Sequence, residues 1–184
     1  MQSVLIAGSG GQGILFLGKL LAQSVMTEGR NVTWFPSYGA EVRGGTANCM
    51  VIISDEMIGS PILKNPDILV VLNEASKERF ESRLRQDGLM ILDSSLIKKP
   101  VARKDVYVIN VPATEIAASL GSAKSANMVM LGALISGGKL VSEDSALNAL
   151  EELTPPRRRK NLDINKRALR KGKAFCDNKE GKSL

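Results

Sequence analysis

Apolar residues along this chain fall into two alternating rhythms. Short runs of four or five are bounded by glycine or proline, and longer stretches repeat every three or four residues. Ser3 to Ala7 predicts a short, fully buried strand. Gln12 to Glu28 predicts a helix, with Ile14, Leu17, Leu21 and Val25 on one face and Gly29 closing its C-terminus. Asn31 to Phe35 predicts a second strand, and Pro36 is expected to end its pairing. Thr46 to Ser54 predicts a β-branched strand that follows too closely for a helical crossover, so one antiparallel neighbour is expected. Pro61 and Pro66 bracket a connection. Ile68 to Leu72 is an uninterrupted apolar strand, the pattern of a parallel sheet covered on both faces.

Glu74 to Gln86 predicts a charged helix that buries Ala75, Phe80 and Leu84, with Glu81 and Arg85 as an i,i+4 pair. Asp87-Gly88 turns the chain into a strand over Leu89 to Leu92, and Val106 to Val111 is another. Pro112 and Ala113 start a short helix. Asn127 to Lys139 predicts an apolar helix whose Gly132 signals close packing and whose Gly137-Gly138 signals a stop. Ser142 to Leu153 predicts a helix with Ser142 as N-cap. Pro155-Pro156 is a break, and Leu162 to Phe175 predicts a last, weakly amphipathic helix. Strands alternating with helices give the expected fold class, α/β: a three-layer α/β/α domain with a mainly parallel sheet. Residues 1–154 form the α/β domain, and residues 155–184 a basic C-terminal helix or tail of that domain.

Composition narrows the chemistry. The 184 residues contain no histidine and two cysteines, Cys49 and Cys176, far apart. The usual four thiolates of an iron–sulfur cluster are missing, as are the commonest general base and zinc ligand. An active centre on this chain alone would have to use Glu, Asp, Lys, Arg, Tyr or a cofactor, so the chain reads as part of a larger machine. No apolar run reaches the roughly 18 residues of a membrane span. Lys19 interrupts the first apolar region and no basic residue precedes it, so the expectation is no secretory leader, no membrane, and a cytoplasmic location.

The net charge of +6 is unevenly held. Residues 1–154 carry 14 Lys and Arg against 16 Asp and Glu, and residues 155–184 carry 11 against 3. A nucleic-acid reading would rest on that tail and on Arg157-Arg158-Arg159-Lys160. Phe175 is its only aromatic, so no nucleic acid is expected, and the tail reads as a solvated or subunit-docking segment.

Two glycine-rich segments follow strands. Gly8-Ser9-Gly10-Gly11-Gln12-Gly13 opens a helix, the context of a phosphate or pyrophosphate held at a helix N-terminus. The alternative is a tight structural turn. As a dinucleotide site it lacks the acid expected about 20 positions on; Trp34-Phe35-Pro36 stands there instead. The second segment, Tyr38-Gly39-Ala40-Glu41-Val42-Arg43-Gly44-Gly45, sets a tyrosine, a carboxylate and a guanidinium in a glycine frame. Glu41 and Arg43 share a face if it is extended. They either form a structural ion pair or grip a partner.

These motifs carry a resemblance. GSGGQG, then PSYGAEVRGGTANC (Pro36 to Cys49), then SPILKNPDILVVLN (Ser60 to Asn73) resemble the gamma subunit of 2-oxoacid:ferredoxin oxidoreductases, closest to the 2-oxoglutarate type. Relatives often carry proline where Ala40 stands. The resemblance implies the fold of the gamma domain of pyruvate:ferredoxin oxidoreductase. It implies oxidative decarboxylation of a 2-oxoacid, here 2-oxoglutarate, to acyl-CoA and carbon dioxide, with ferredoxin as electron acceptor. Thiamine diphosphate, magnesium and the iron–sulfur clusters then sit on partner alpha, beta and ferredoxin-like delta subunits, and coenzyme A is a co-substrate. The isolated chain is expected to be inactive and able to pair as a homodimer. In this scheme Glu41 and Arg43 are the candidate catalytic residues. Gly8, Gly10, Gly11, Gln12, Gly13, Tyr38, Gly39, Gly44 and Gly45 are the candidate ligand-binding ones, lining one crevice. The rival reading is a free-standing Rossmann-like nucleotide-binding protein, and a third is a scaffold acting through its basic tail.

Overall fold

The computed structural model describes residues 1–38, 46–62 and 64–180. Six strands form one sheet: β1 (Gln2–Ser9), β2 (Asn31–Tyr38), β3 (Thr46–Ser54), β4 (Ile68–Val71), β5 (Leu89–Asp93) and β6 (Tyr107–Val111), in the order β2-β3-β1-β4-β5-β6. β1, β4, β5 and β6 run parallel; β3 is antiparallel to both β1 and β2. The sheet is thus mainly parallel, and the expected antiparallel neighbour is β3.

Alternation along the strands sorts the core into two faces. Val4, Ile6, Val51, Ile53, Val70 and Ile91 point to one, where helices α1 (Ile14–Thr27), α3 (Ala113–Ser119), α4 (Ala126–Gly138) and α5 (Glu143–Leu153) pack. Leu5, Ala7, Ile52, Leu69 and Met90 point to the other, covered by Phe80 of helix α2 (Glu74–Phe80), by Leu84 just beyond it and by Ile97 from the loop after β5. Ile14, Leu17, Leu21 and Val25 of α1 are all buried, as their spacing predicts. α4 is buried from Ala126 to Ser136 on every side, because helix α6 (Leu162–Glu180) lies along its outer surface. The two backbones nearly touch: a Cβ on Gly132 would stand 1.9 Å from the Leu169 carbonyl oxygen, and one on Gly172 1.9 Å from that of Val129. Ser142 caps α5 as expected, its Oγ accepting the Ser145 N–H at 3.1 Å.

Three local expectations are corrected. Pro36 does not end β2; it pairs with Cys49 inside the strand. β2 is an edge strand, so a missing N–H can face the open side without cost to the ladder. The charged helix over 74–86 is shorter, ending at Phe80 and continuing as a 3-10 turn, Glu81–Arg83, and Ala75 is exposed. Glu81 pairs not with Arg85 but with Lys77, at 3.6 Å, and accepts the N–H groups of Ala102 at 2.6 Å and Arg103 at 3.0 Å. Lys77 is 3 % exposed and also donates to the Pro100 carbonyl at 2.7 Å. Unpaired buried charge is costly, so this ammonium gathers its partners inward and leaves Arg85 to Asp67, at 3.0 Å.

Candidate functional site

β1 is interior to the sheet, and the chain leaves its C-terminal end through the first glycine-rich segment. Gly11 (φ 92°) and Gly13 (φ 74°) lie in the left-handed region that favours glycine. A Cβ on Gly13 would also stand within 3 Å of the Asn127 side chain, and one on Gly8 2.6 Å from Ile14 Cδ1. Gly10 is exposed within the turn. Gln12 holds the turn in shape. Its Oε1 accepts the Ser9 N–H at 2.7 Å, and its Nε2 donates to the Leu72 carbonyl at 2.9 Å, beyond the end of β4. Asn73 adds a second tie: its Nδ2 donates to Ser9 Oγ while its Oδ1 caps α2 by accepting the Ser76 N–H at 2.8 Å. The role of Gln12 is therefore one of support, through both ends of its amide.

Strand register brings the two residues that flank the second segment's middle, Tyr38 and Thr46, to the same end of the sheet. Ser9 pairs with Thr46, and Tyr38, the last residue of β2, pairs with Ala47. The chain between Tyr38 and Thr46 thus starts and finishes two strands or fewer from the glycine turn. Gly39, Glu41, Arg43, Gly44 and Gly45 lie outside the described residues.

A cavity of about 430 Å³ opens beside the turn. Gly11, Gly13 and Phe16 line one side; Lys124, Ser125 and Asn127, at the start of α4, line a second; Thr154, Pro155, Arg158, Asn161 and Asn165 close the third. The helix starts at this cavity are bare: neither α1 nor α4 has a side-chain cap or an acidic residue in its first turn. The N–H groups of a helix's first turn carry partial positive charge; at α4 the Ala126 N–H already meets the Ala123 carbonyl of the 3-10 turn that runs into it. Lys124 and Arg158 add two full charges, and among the described residues no carboxylate lines the space. Asn127, 7 % exposed, reaches across to the Gly13 carbonyl at 3.4 Å, and Asn165 Oδ1 accepts the Ser125 hydroxyl at 2.8 Å. The chemistry on offer is recognition of an anion, phosphate above all, rather than proton transfer.

Two buried ionisable groups elsewhere, Asp93 and Cys49, are taken up by the fold. Asp93, fully buried at the end of β5, accepts hydrogen bonds from the N–H groups of Ser95 and Ala113, each at 3.0 Å, and from the Thr114 hydroxyl at 2.5 Å. It serves as a staple for α3. Burial pushes the Cys49 thiol up to about 12, against weaker hydrogen bonding that lowers it. Among the described residues, no three His, Cys, Asp or Glu side chains come together to hold a metal ion.

Lys124, Asn127, Arg158 and Asn165 were not singled out by sequence, since they lie more than 100 positions from Gly13. The run Arg157-Lys160 after Pro155-Pro156 was the one trace of them, and it pointed to a tail rather than to a wall. The sheet order also bears on the dinucleotide reading. Such a site sets the second strand beside the first and parallel to it. Here β3 lies between β1 and β2, and β2 runs antiparallel to β3 and ends without an acid.

Residues 3–175 match the family described as Pyruvate ferredoxin/flavodoxin oxidoreductase. The ketoisovalerate oxidoreductase subunit VorA of Methanothermobacter thermautotrophicus is 39 % identical over 97 % of this chain and 37 % of that protein. The chain thus spans little more than a third of that relative's length. The 2-oxoglutarate synthase subunit KorC of Methanocaldococcus jannaschii is 32 % identical, with 84 % of each chain covered. Among solved structures, the gamma subunit of the keto/oxoacid ferredoxin oxidoreductase of Geobacter sulfurreducens superimposes with a TM-score of 0.84 at 25 % identity, covering 96 % of this chain and 98 % of that one. The 2-oxoglutarate:ferredoxin oxidoreductase of Magnetococcus marinus, solved with 2-oxoglutarate, coenzyme A and succinyl-CoA, superimposes with a TM-score of 0.86 at 26 % identity, over 96 % of this chain and 31 % of that one.

Proposed function

We infer that this chain, which belongs to the pyruvate ferredoxin/flavodoxin oxidoreductase family, works as the gamma subunit of a 2-oxoacid:ferredoxin oxidoreductase and holds the phosphate-bearing part of coenzyme A. The observation that carries the second half is the cavity beside the glycine turn, with two uncapped helix starts, Lys124, Arg158 and no acid among its described lining residues. Coenzyme A bears a pyrophosphate and a 3′-phosphate, and bare helix starts flanked by cations suit such groups. The Magnetococcus relative, solved with coenzyme A, supports the choice of ligand.

The complex would convert a 2-oxoacid and coenzyme A to acyl-CoA and carbon dioxide. The two electrons released pass to ferredoxin, and one proton is left over. This chain's own residues do not fit the redox groups: it has no histidine, its two cysteines are both buried and lie far apart, and no carboxylate cluster forms among the described residues. Thiamine diphosphate, magnesium and the clusters are therefore assigned to partner subunits, and no step of the chemistry is drawn through this chain. Its part is to bind and to orient. Gln12 fixes the turn, and the cations hold phosphate. Arg43 and Glu41 are proposed to complete the centre, Arg43 gripping an anionic group and Glu41 orienting it. The register that brings both ends of their segment near Ser9 favours this. The substrate class is the 2-oxoacid common to relatives named for ketoisovalerate, 2-oxoglutarate and pyruvate. 2-Oxoglutarate, which the resemblance implied, is the first to assay.

The test is steady-state kinetics on the complex reconstituted with Lys124→Ala and Arg158→Ala chains. The expected result is a KM for coenzyme A raised about tenfold or more, with the KM for the 2-oxoacid unchanged. An unchanged KM for coenzyme A in both variants refutes the phosphate role. Calorimetry of the isolated chain with NAD, NADP, FAD and ATP addresses the free-standing reading, and tight binding of any of them would favour it.

A further inference from the structure

We propose that the turn Pro156–Asn161 and the solvent side of α6 form a docking surface for an acidic face of another subunit of the complex. The idea rests on the gamma-subunit reading, since it takes its partner from there. From Arg157 to Lys171 the chain carries eight Lys and Arg against a single acid, Asp163. Arg157, Arg159, Lys160, Arg167 and Lys171 are all exposed.

What marks them is the contrast with their neighbours. Lys166 is paired with Glu151, Arg170 with Glu143 at 3.2 Å, and Lys173 with Asp177 at 2.8 Å. Cations that fasten α6 thus have carboxylates to meet, from α5 or from α6 itself. The others meet none among the described residues; Arg159 adds only to the field at Glu151, which Lys166 already holds. Clustered like charges repel one another and weaken a fold, so this arrangement is costly unless an opposite surface offsets it. The platform is also rigid. Pro155 and Pro156 restrict the turn, and the contact of Gly132 and Gly172 leaves α6 no room to shift toward α4. Arginines held on such a platform lose little freedom when they meet carboxylates, which they can bind two-pronged.

Two other anionic partners are disfavoured. A membrane surface would call for apolar side chains beside the cations. The exposed large apolar residues are Met1, Met26, Phe35, Met57, Ile62, Leu96 and Tyr107, and none lies in this segment. Single-stranded nucleic acid would call for exposed aromatics. Phe175 is the only aromatic after residue 154, and it packs against the core.

The experiment uses the full chain and its partner subunits, with the association constant measured across a series of sodium chloride concentrations. The variant is Arg157→Glu/Arg159→Glu/Lys160→Glu; Arg158 is left in place because it lines the cavity. The control is Lys98→Glu/Lys104→Glu, on the loop that packs with α2. The expected result is wild-type affinity that falls steeply with salt, a loss of about tenfold or more in the triple variant at low salt, and a flatter salt dependence. The control pair keeps wild-type affinity, and Arg157→Lys/Arg159→Lys, which keeps the charge but not the two-pronged geometry, loses less than the charge-reversed variant. The inference is overturned if the charge-reversed variant, with an unaltered melting curve, assembles with wild-type affinity and salt dependence. It is overturned too if wild-type chain binds a 20-nucleotide strand or phosphatidylserine vesicles more tightly than it binds its partner subunits. If the wild-type chain binds no partner subunit at all, the gamma-subunit reading falls with it; insensitivity of a complex that does assemble removes this proposal alone.

Discussion

Replacing Gly172 with alanine tests the packing that holds the C-terminal helix. The new Cβ would stand 1.9 Å from the Val129 carbonyl oxygen, 2.7 Å from its carbonyl carbon and 2.9 Å from its Cα. Every one of these atoms is backbone of α4, so no side chain can swing aside. The helices must part by roughly 1.5 Å for the carbon to reach an ordinary distance, and even a gap of about 0.5–1 Å forfeits about a quarter to a half of each dispersion contact along the seam. Overpacking of this kind costs about 1–3 kcal/mol, and rigid backbone on both sides points to the upper end. Against it stands the better helix propensity of alanine, worth about 1 kcal/mol. The net loss is about 2 kcal/mol, a fall in Tm of about 4–8 °C for a chain of this size. Gly137→Ala is the companion. Its Cβ would meet Ile109 Cδ1 at 2.7 Å, the far end of a side chain that can turn away, so its Tm is expected within about 2 °C of wild type. Thermal denaturation followed by circular dichroism measures both. A Gly172→Ala chain that melts at or above the wild-type temperature would refute the reasoning, as would an equal fall in the Gly137→Ala chain.

Two more outcomes follow from the charges and thiols. The Asp177 carboxyl is held below its ordinary value by Lys173, whose Nζ lies 2.8 Å away, and by the Ser136 hydroxyl at 2.5 Å. A carboxyl with a lowered folded pKa stabilises the fold above its unfolded value, near 4, and that contribution fades as pH falls through the folded value. The Tm difference between wild type and Asp177→Asn should therefore be largest near neutral pH and shrink from about pH 4 downward; a difference that grows on acidification would contradict this. Cys49 and Cys176 are both buried and are not joined in a disulfide, and Cys49 is pushed up to about 12 by burial. Ellman's reagent at pH 8 should label neither thiol in the native chain and both in guanidinium. Rapid labelling of native protein would show that the Cys49 packing against α1 is wrong.

Much of the architecture was legible because secondary structure follows local periodicity. The buried strand at Ser3 to Ala7, the face of α1 through Ile14, Leu17, Leu21 and Val25, and the cap at Ser142 each depend on residues within a few positions of one another. Where competition between distant partners decides, local rules gave a different answer. Glu81 at helical spacing from Arg85 is a sound pair on an isolated helix. In the folded chain the buried Lys77 has the stronger claim on that carboxylate, because an ammonium away from water cannot go unpaired. Pro36 reads as a strand stop until the sheet order places its strand at an edge.

The candidate site divides along the same line. By itself the sequence determined that a glycine turn follows a buried strand and opens a helix. It also determined that the chain has no histidine and no set of cysteines for a cluster, which leaves any chemistry on it to Glu, Asp, Lys, Arg, Tyr or a cofactor. Only the tertiary structure decided what faces that turn. Lys124 and Asn127 reach it because α4 packs on the same face of the sheet as α1, and Arg158 because the turn before α6 closes the cavity's third side. No period or motif encodes that meeting. It arises from whole faces burying together, and the positions it joins are separated by more than a hundred residues of chain.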